Sequence, residues 1–226
     1  MKKGLLLKLV FITLLFSGVI ISCSNSDEAD DLLADSHPTT LFAYLSGVRT
    51  PLERVDGKFY VVYCSKNKEQ LKTELAKVGI ELTAYAKSKW DDYSHFADMT
   101  GSGAEKFTHF EIELVNGNYK AATVALSHTL YWAPWYRMVD GTEIVPTELL
   151  LVKLKPHITL EQLEKLAQEN NVEMIGWFTQ SYLPDRYLLI CTNLSKGNSL
   201  AMAALFYESG LFEDVVADTI GGGRVN

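Results

Sequence analysis

The side chains in this chain that could do chemistry are few and scattered. Its five histidines, His37, His95, His109, His128 and His157, show no HExxH spacing, and no Cys stands at metal-ligand distance from them in sequence. Asp91 and Asp92 with His95 and Asp98 could chelate a metal ion, but the same residues make an ordinary solvated loop. Gly-x-Ser-x-Gly and phosphate-loop motifs are absent, so Gly101-Ser102-Gly103 is read as a loop. The chain is therefore expected not to be an enzyme and to carry neither metal nor cofactor. A second chemistry is stacking. Tyr131, Trp132, Trp135 and Tyr136, with Trp90 and Tyr93 further back, are flat faces of the kind that hold sugar rings. Trp90, Trp132, Trp135 and Tyr136 are accordingly a candidate glycan-binding set, and the competing reading is that Trp132 and Trp135 fill the space between two packed halves.

Three cysteines belong to different settings. Lys2, Lys3 and Lys8 precede an apolar run, Leu9 to Ile21, too short and too close to the N-terminus to read as a membrane span. Residues 1–22 are read as an export signal. The run ends in Ile20-Ile21-Ser22-Cys23, which resembles a bacterial lipobox. The resemblance implies a lipid on Cys23 and attachment to a membrane through acyl chains alone. Residues 23–40 then form an acidic tether too poor in apolar residues to fold, and Asp27 and Glu28 look like the export signal of Bacteroidetes outer-membrane lipoproteins, which implies an exposed position on the cell envelope. Cys64 and Cys191 fall in strands and are expected to be free, buried thiols. A net charge of −7 with no dense cluster among 21 Lys and Arg excludes nucleic acid as a favoured partner.

The elements that must position these residues are clearest between Glu148 and Ile220. Glu148–Lys155 reads as a strand. Thr159 opens a helix with Gln162 at the capping-box position and Leu160, Leu163 and Ala167 on one face. Val172–Gln180 returns as a strand, Pro184 and Asp185 turn the chain into Arg186–Thr192, Asn198 or Ser199 starts a second helix ending at Gly210, and Leu211–Thr219 closes the unit. Strand, helix, strand, strand, helix, strand is a ferredoxin-like βαββαβ unit, an antiparallel sheet with both helices on one face.

The pattern occurs twice. After a β-hairpin from Leu41, Phe59–Cys64 is a strand, Asn67 caps a helix, and one constant offset carries Glu69-Gln70-Leu71 onto Glu161-Gln162-Leu163. Phe110, Ile112 and Leu114 align with Tyr187, Leu189 and Cys191. A helix over Lys120–Tyr131 and a strand over Trp135–Val139 complete the first copy. The fold class is thus α+β, with residues 41–145 as a first domain carrying an inserted loop at 88–106, and 146–226 as a second. Strand alternation points Phe110, Ile112 and Leu114 at the first copy's helices and Glu111 and Glu113 away. The matching outward positions of the second copy, Leu188 and Ile190 with Leu151, are apolar. That face must be covered by the first copy, by the hairpin, or by another protein.

Four stretches, Leu150-Leu151-Val152-Lys153-Leu154-Lys155-Pro156, Thr159 through Ala167, Leu189-Ile190-Cys191-Thr192 and Tyr207-Glu208-Ser209-Gly210-Leu211-Phe212, resemble the N-terminal prodomains of subtilisin-like proteases, of the fervidolysin-like and Bacteroides subtilase leader type. The resemblance implies a module that docks its sheet face on a protease and lays its C-terminal tail, Gly221 to Asn226 with Arg224, in the cleft, as inhibitor or chaperone. No Asp-Ser/Thr-Gly, His-Gly-Thr-His or Gly-Thr-Ser-Met segment accompanies it, so action in trans on a protease or another envelope protein is the expected function, through Leu151, Leu188, Ile190 and Arg224. A glycan-binding accessory lipoprotein is the alternative.

Overall fold

The computed structural model describes residues 40–45, 48–83, 99–100, 110–178 and 185–224. They form a mixed α and β structure around a curled ten-stranded sheet in which every pairing is antiparallel. In chain order the elements are β1 (Thr40–Leu45), β2 (Val48–Cys64), a 3-10 turn (Ser65–Asn67), α1 (Lys68–Lys77), β3 (Leu82–Thr83), β4 (Met99–Thr100) and β5 (Phe110–Asn116). A second 3-10 turn (Tyr119–Ala122) follows, then α2 (Thr123–Leu126), β6 (Tyr131–Arg137), β7 (Thr142–Leu154), α3 (Leu160–Glu169), β8 (Glu173–Phe178), β9 (Arg186–Ile190), α4 (Ser199–Glu208) and β10 (Phe212–Arg224).

Two long strands carry the sheet. β2 pairs with β1, β5 and β6, and β7 pairs with β6, β9 and β10. The expectation of two separate sheets therefore gives way to one, joined where Tyr136 and Arg137 of β6 meet Ile144 and Glu143 of β7. A second stitch comes from the inserted segment, whose Met99 and Thr100 pair with Phe178 and Trp177 at the far edge of β8.

Local signals hold well in the second half. Thr159 caps α3 with both arms of the capping box in place, Thr159 Oγ1 accepting from the Gln162 amide and Gln162 Oε1 accepting from the Thr159 amide. Asn198 caps α4 by accepting from the Ala201 amide. α4 is apolar nearly all round because it is enclosed. Met202 and Phe206 enter the main core, Leu200 joins Leu41, Leu52 and Tyr136 under the β1–β2 hairpin, and Tyr207 stacks on Tyr44 at 4.3 Å.

The first half departs from expectation in two ways. Its second helix is a 3-10 turn and the four residues of α2, because Tyr131 and Trp132 are taken into β6 and Thr129 Oγ1 donates to the Leu126 carbonyl, closing the turn early. Its strand parity is also the reverse of the expected one. Phe59, Val61 and Tyr63 face α1 with Leu71 and Leu75, whereas Tyr60, Val62 and Ile112 enter a core shared with Leu163, Ala167, Met202 and Phe206 of the second half. Glu111 and Glu113 lie on the α1 side, where Tyr63 donates to both, at 3.1 and 2.6 Å, and Lys68 pairs with Glu111. The sheet here is packed on both faces, and alternation cannot say which apolar face meets which layer.

Candidate functional site

Among the described residues an open groove of about 780 Å³ lies at the seam between the halves. One wall is the turn after α2, through Ser127, Thr129 and Leu130. The other is the last two turns of α3, through Glu164, Ala167 and Gln168. The chain running into β8, Asn171 to Met174, and the turn after β9, Thr192 to Leu194, complete it. Leu130, Ala167, Val172 and Met174 supply an apolar surface, and Glu164 and Glu173 are the ionisable residues among its described lining.

Asn193 fixes the geometry of this seam. Its Nδ2 donates to the carbonyls of Leu126 at 3.1 Å and Thr129 at 2.9 Å, joining Thr129 as a donor to the first and serving the second at the end of a very short helix. Its own amide donates to the Leu130 carbonyl at 2.9 Å, while the Leu130 amide donates to Val62 at 2.8 Å. Across the groove, Ser195 Oγ donates to the carbonyl of Asn171, which sits at φ 52°, in the left-handed region. With Asn193 turned inward to these partners, Leu194 is left 79% exposed at the rim. Ser127 Oγ donates to the Val124 carbonyl. What the groove offers is shape and apolar surface, which suit binding.

Beneath the seam lies a buried polar cluster. Tyr60 donates to the Glu148 carboxylate at 2.8 Å, and both residues are fully buried. Burial, reinforced by the nearby Glu148 charge, pushes the Cys191 thiol up, and burial does the same to the Tyr131 hydroxyl. Ser199 Oγ donates to the Thr147 carbonyl, and Asn198 Nδ2 donates to the Tyr136 hydroxyl. These groups are closed off from solvent and lock α4 to β6 and β7.

The residues expected to bind a partner are differently placed. Leu188 is 0% and Ile190 2% exposed, with Leu149 and Ile175 also buried and Leu151 half-buried. The apolar face is thus covered within this chain, as the sequence demanded, and is not open for docking. The C-terminal tail does not hang free as far as Arg224. Gly221 pairs with Ile144 and Arg224 with Thr142, which makes it the end of β10.

The aromatic set is split. Trp132 packs 5.2 Å from Tyr119 in the α1 core, while Trp135 points from the other face of β6 with the Lys58 ammonium 4.3 Å above its ring. Tyr136 is buried under the hairpin. No common platform joins these three, and Trp90 and Cys23 lie outside the described residues. Cys191 is buried and Cys64 half-buried, and both are free thiols. Among the described residues no group of three His, Cys, Asp or Glu side chains gathers as a metal site, and no helix is long and apolar enough to cross a membrane.

The groove itself was not anticipated, since its walls come from three stretches distant in sequence. Its one sequence signal is Asn193-Leu194-Ser195 directly after a strand, a turn with a large aliphatic residue at its tip. No protein-family model, curated protein or solved structure matches the chain.

Proposed function

We propose that this chain is an exported, lipid-anchored, non-catalytic protein-binding module, built from two copies of one ferredoxin-like βαββαβ unit and related in design to subtilase prodomains. Strand order supports the two-copy reading. β10-β7-β9-β8 in the second half and β6-β2-β5-β3 in the first follow the same permutation, with the unit's first strand inside, its third beside it, and its fourth and second outermost. Each half also begins with a hairpin laid on the N-terminal end of its central strand.

The observation that carries the binding function is the seam groove, an open concavity with apolar walls and exposed Leu194 at its rim. In this reading a partner is met at the seam rather than on the sheet face, whose apolar residues are already used. A subtilisin-like protease acted on in trans is the partner the sequence resemblance favours.

The test uses the full chain in detergent, with a photo-crosslinking residue at position 194. Crosslinking in intact cells should trap one main protein, and the purified chain should inhibit it if it is a subtilisin-like protease. A trapped partner of another kind would keep the module and remove the protease. Failure to trap any protein in intact cells would overturn the reading.

A further inference from the structure

The β1–β2 hairpin carries a surface that shares no residue with the seam groove. Along β1 both sides of the strand are apolar. Leu41 and Ala43 are buried and pack with Leu52 of β2 and Leu200 of α4. Phe42 and Tyr44 turn to the other side, half-buried, with Pro51 and Arg49 as their cross-strand neighbours. A hairpin face that met only water would carry polar residues at those two positions. Tyr207, 38% exposed in the last turn of α4, extends the row. Its contacts are continuous. The Arg49 guanidinium lies 3.7 Å from the centre of the Phe42 ring, Phe42 meets Tyr44 edge-on at 5.8 Å, Tyr44 stacks on Tyr207 at 4.3 Å, and the Tyr44 hydroxyl donates to the Glu208 carboxylate at 2.9 Å. The row thus ends in an exposed cation on one side and an exposed carboxylate on the other, and among the described residues neither belongs to an ion pair. Glu53, on the same side of the hairpin, has Arg137 as its neighbour across the ladder.

From this row we infer that the outer side of the hairpin docks a second copy of this chain across a two-fold axis. Opposite charges at its two ends make the row complementary to itself when turned end for end. Arg49 of each copy then meets Glu208 of the other, and Phe42, Tyr44 and Tyr207 close between them. Tyr, Phe and Arg are the side chains on which protein interfaces most depend, since they bring large contact area at small entropy cost. A partner face of one sign would satisfy one end of the row and be repelled at the other.

The test is sedimentation equilibrium of the full chain in a detergent matched to the density of the solvent, so that protein mass alone is read. A dimer is expected, with dissociation that increases as salt rises. Arg49→Glu and Glu208→Arg, both changes at exposed positions, should each weaken it by roughly tenfold. The double reversal places opposite charges together again at both contacts and should recover the lost affinity. Leu194→Ser, at the rim of the seam groove, should leave the dimer unchanged. A monomer at every concentration, a dimer indifferent to both single reversals, a double reversal no tighter than the single ones, or equal sensitivity to Leu194→Ser would overturn the inference. Crosslinking from position 194 reads a different surface, so the dimer and the seam partner stand or fall separately.

Discussion

Asn193 Nδ2 reaches two carbonyls of the first half from a turn in the second, which makes it a direct test of how the seam is held. Asn193→Ala takes this donor from the Thr129 carbonyl, while the Leu126 carbonyl keeps Thr129 as donor, and should cost about 1–3 kcal/mol in urea unfolding, and Asn193→Asp, an acceptor facing acceptors, should cost at least as much. Cys191 is a buried thiol pushed up by its surroundings, so a maleimide should label Cys64 first and Cys191 only on unfolding, as mass spectrometry of the labelled chain would show. Titration is carried by the ion pairs. Burial alone would raise the Glu143 carboxyl, but Lys58 and Arg137 outweigh it and hold it low, and Lys68 holds Glu111 low. Depressed carboxyls stabilise the fold above the ordinary carboxylate range and lose that contribution as pH falls from about 4 through their folded values. Lys68, raised chiefly by its bond to Glu111, contributes below its ordinary range and loses that as pH rises through its folded value. Lys58→Met should therefore move the acid unfolding midpoint, followed by circular dichroism, to higher pH.

Among elements, β10 shows what close approach requires. Gly221 sits at φ 128°, and a Cβ there would lie 2.4 Å from the Glu143 carbonyl oxygen. Gly221→Val should strip the end of β10 from β7, seen as new proteolysis after Ile220 with the remaining core intact. Sequence alone suggested a loose tail at this point, because three consecutive glycines read as a linker. At Gly221 the absence of a side chain instead lets the strand lie against its neighbour. Helices and strands of the second half were legible, since Thr159, Gln162 and Asn198 are cap residues whose bonds are local. α2 was not legible, because the end of that helix is decided by Tyr131 and Trp132 joining β6, a competition settled by partners far along the chain.

At the scale of the molecule, the main core draws Tyr60, Val62 and Ile112 from one half and Leu163, Met202 and Phe206 from the other. Phe206→Ala should remove about 3–5 kcal/mol and lower a single cooperative transition, where two independently packed halves would show one shifted step and one unshifted. Calorimetry distinguishes the outcomes. That shared core also explains why strand parity in the first half was misread: apolar residues on both sides of β2 carry the alternation signal twice. The groove escaped notice for the related reason that an interface between halves has no local signature. β6 closes the first half against β2 and, at its far end, starts the second against β7. β10 holds the corresponding place at the end of the second half, and among the described residues it pairs only with β7. In the two-copy reading proposed above, a further copy placed against β10 would find a template strand already laid out for it, so tandem arrays of this unit could be engineered.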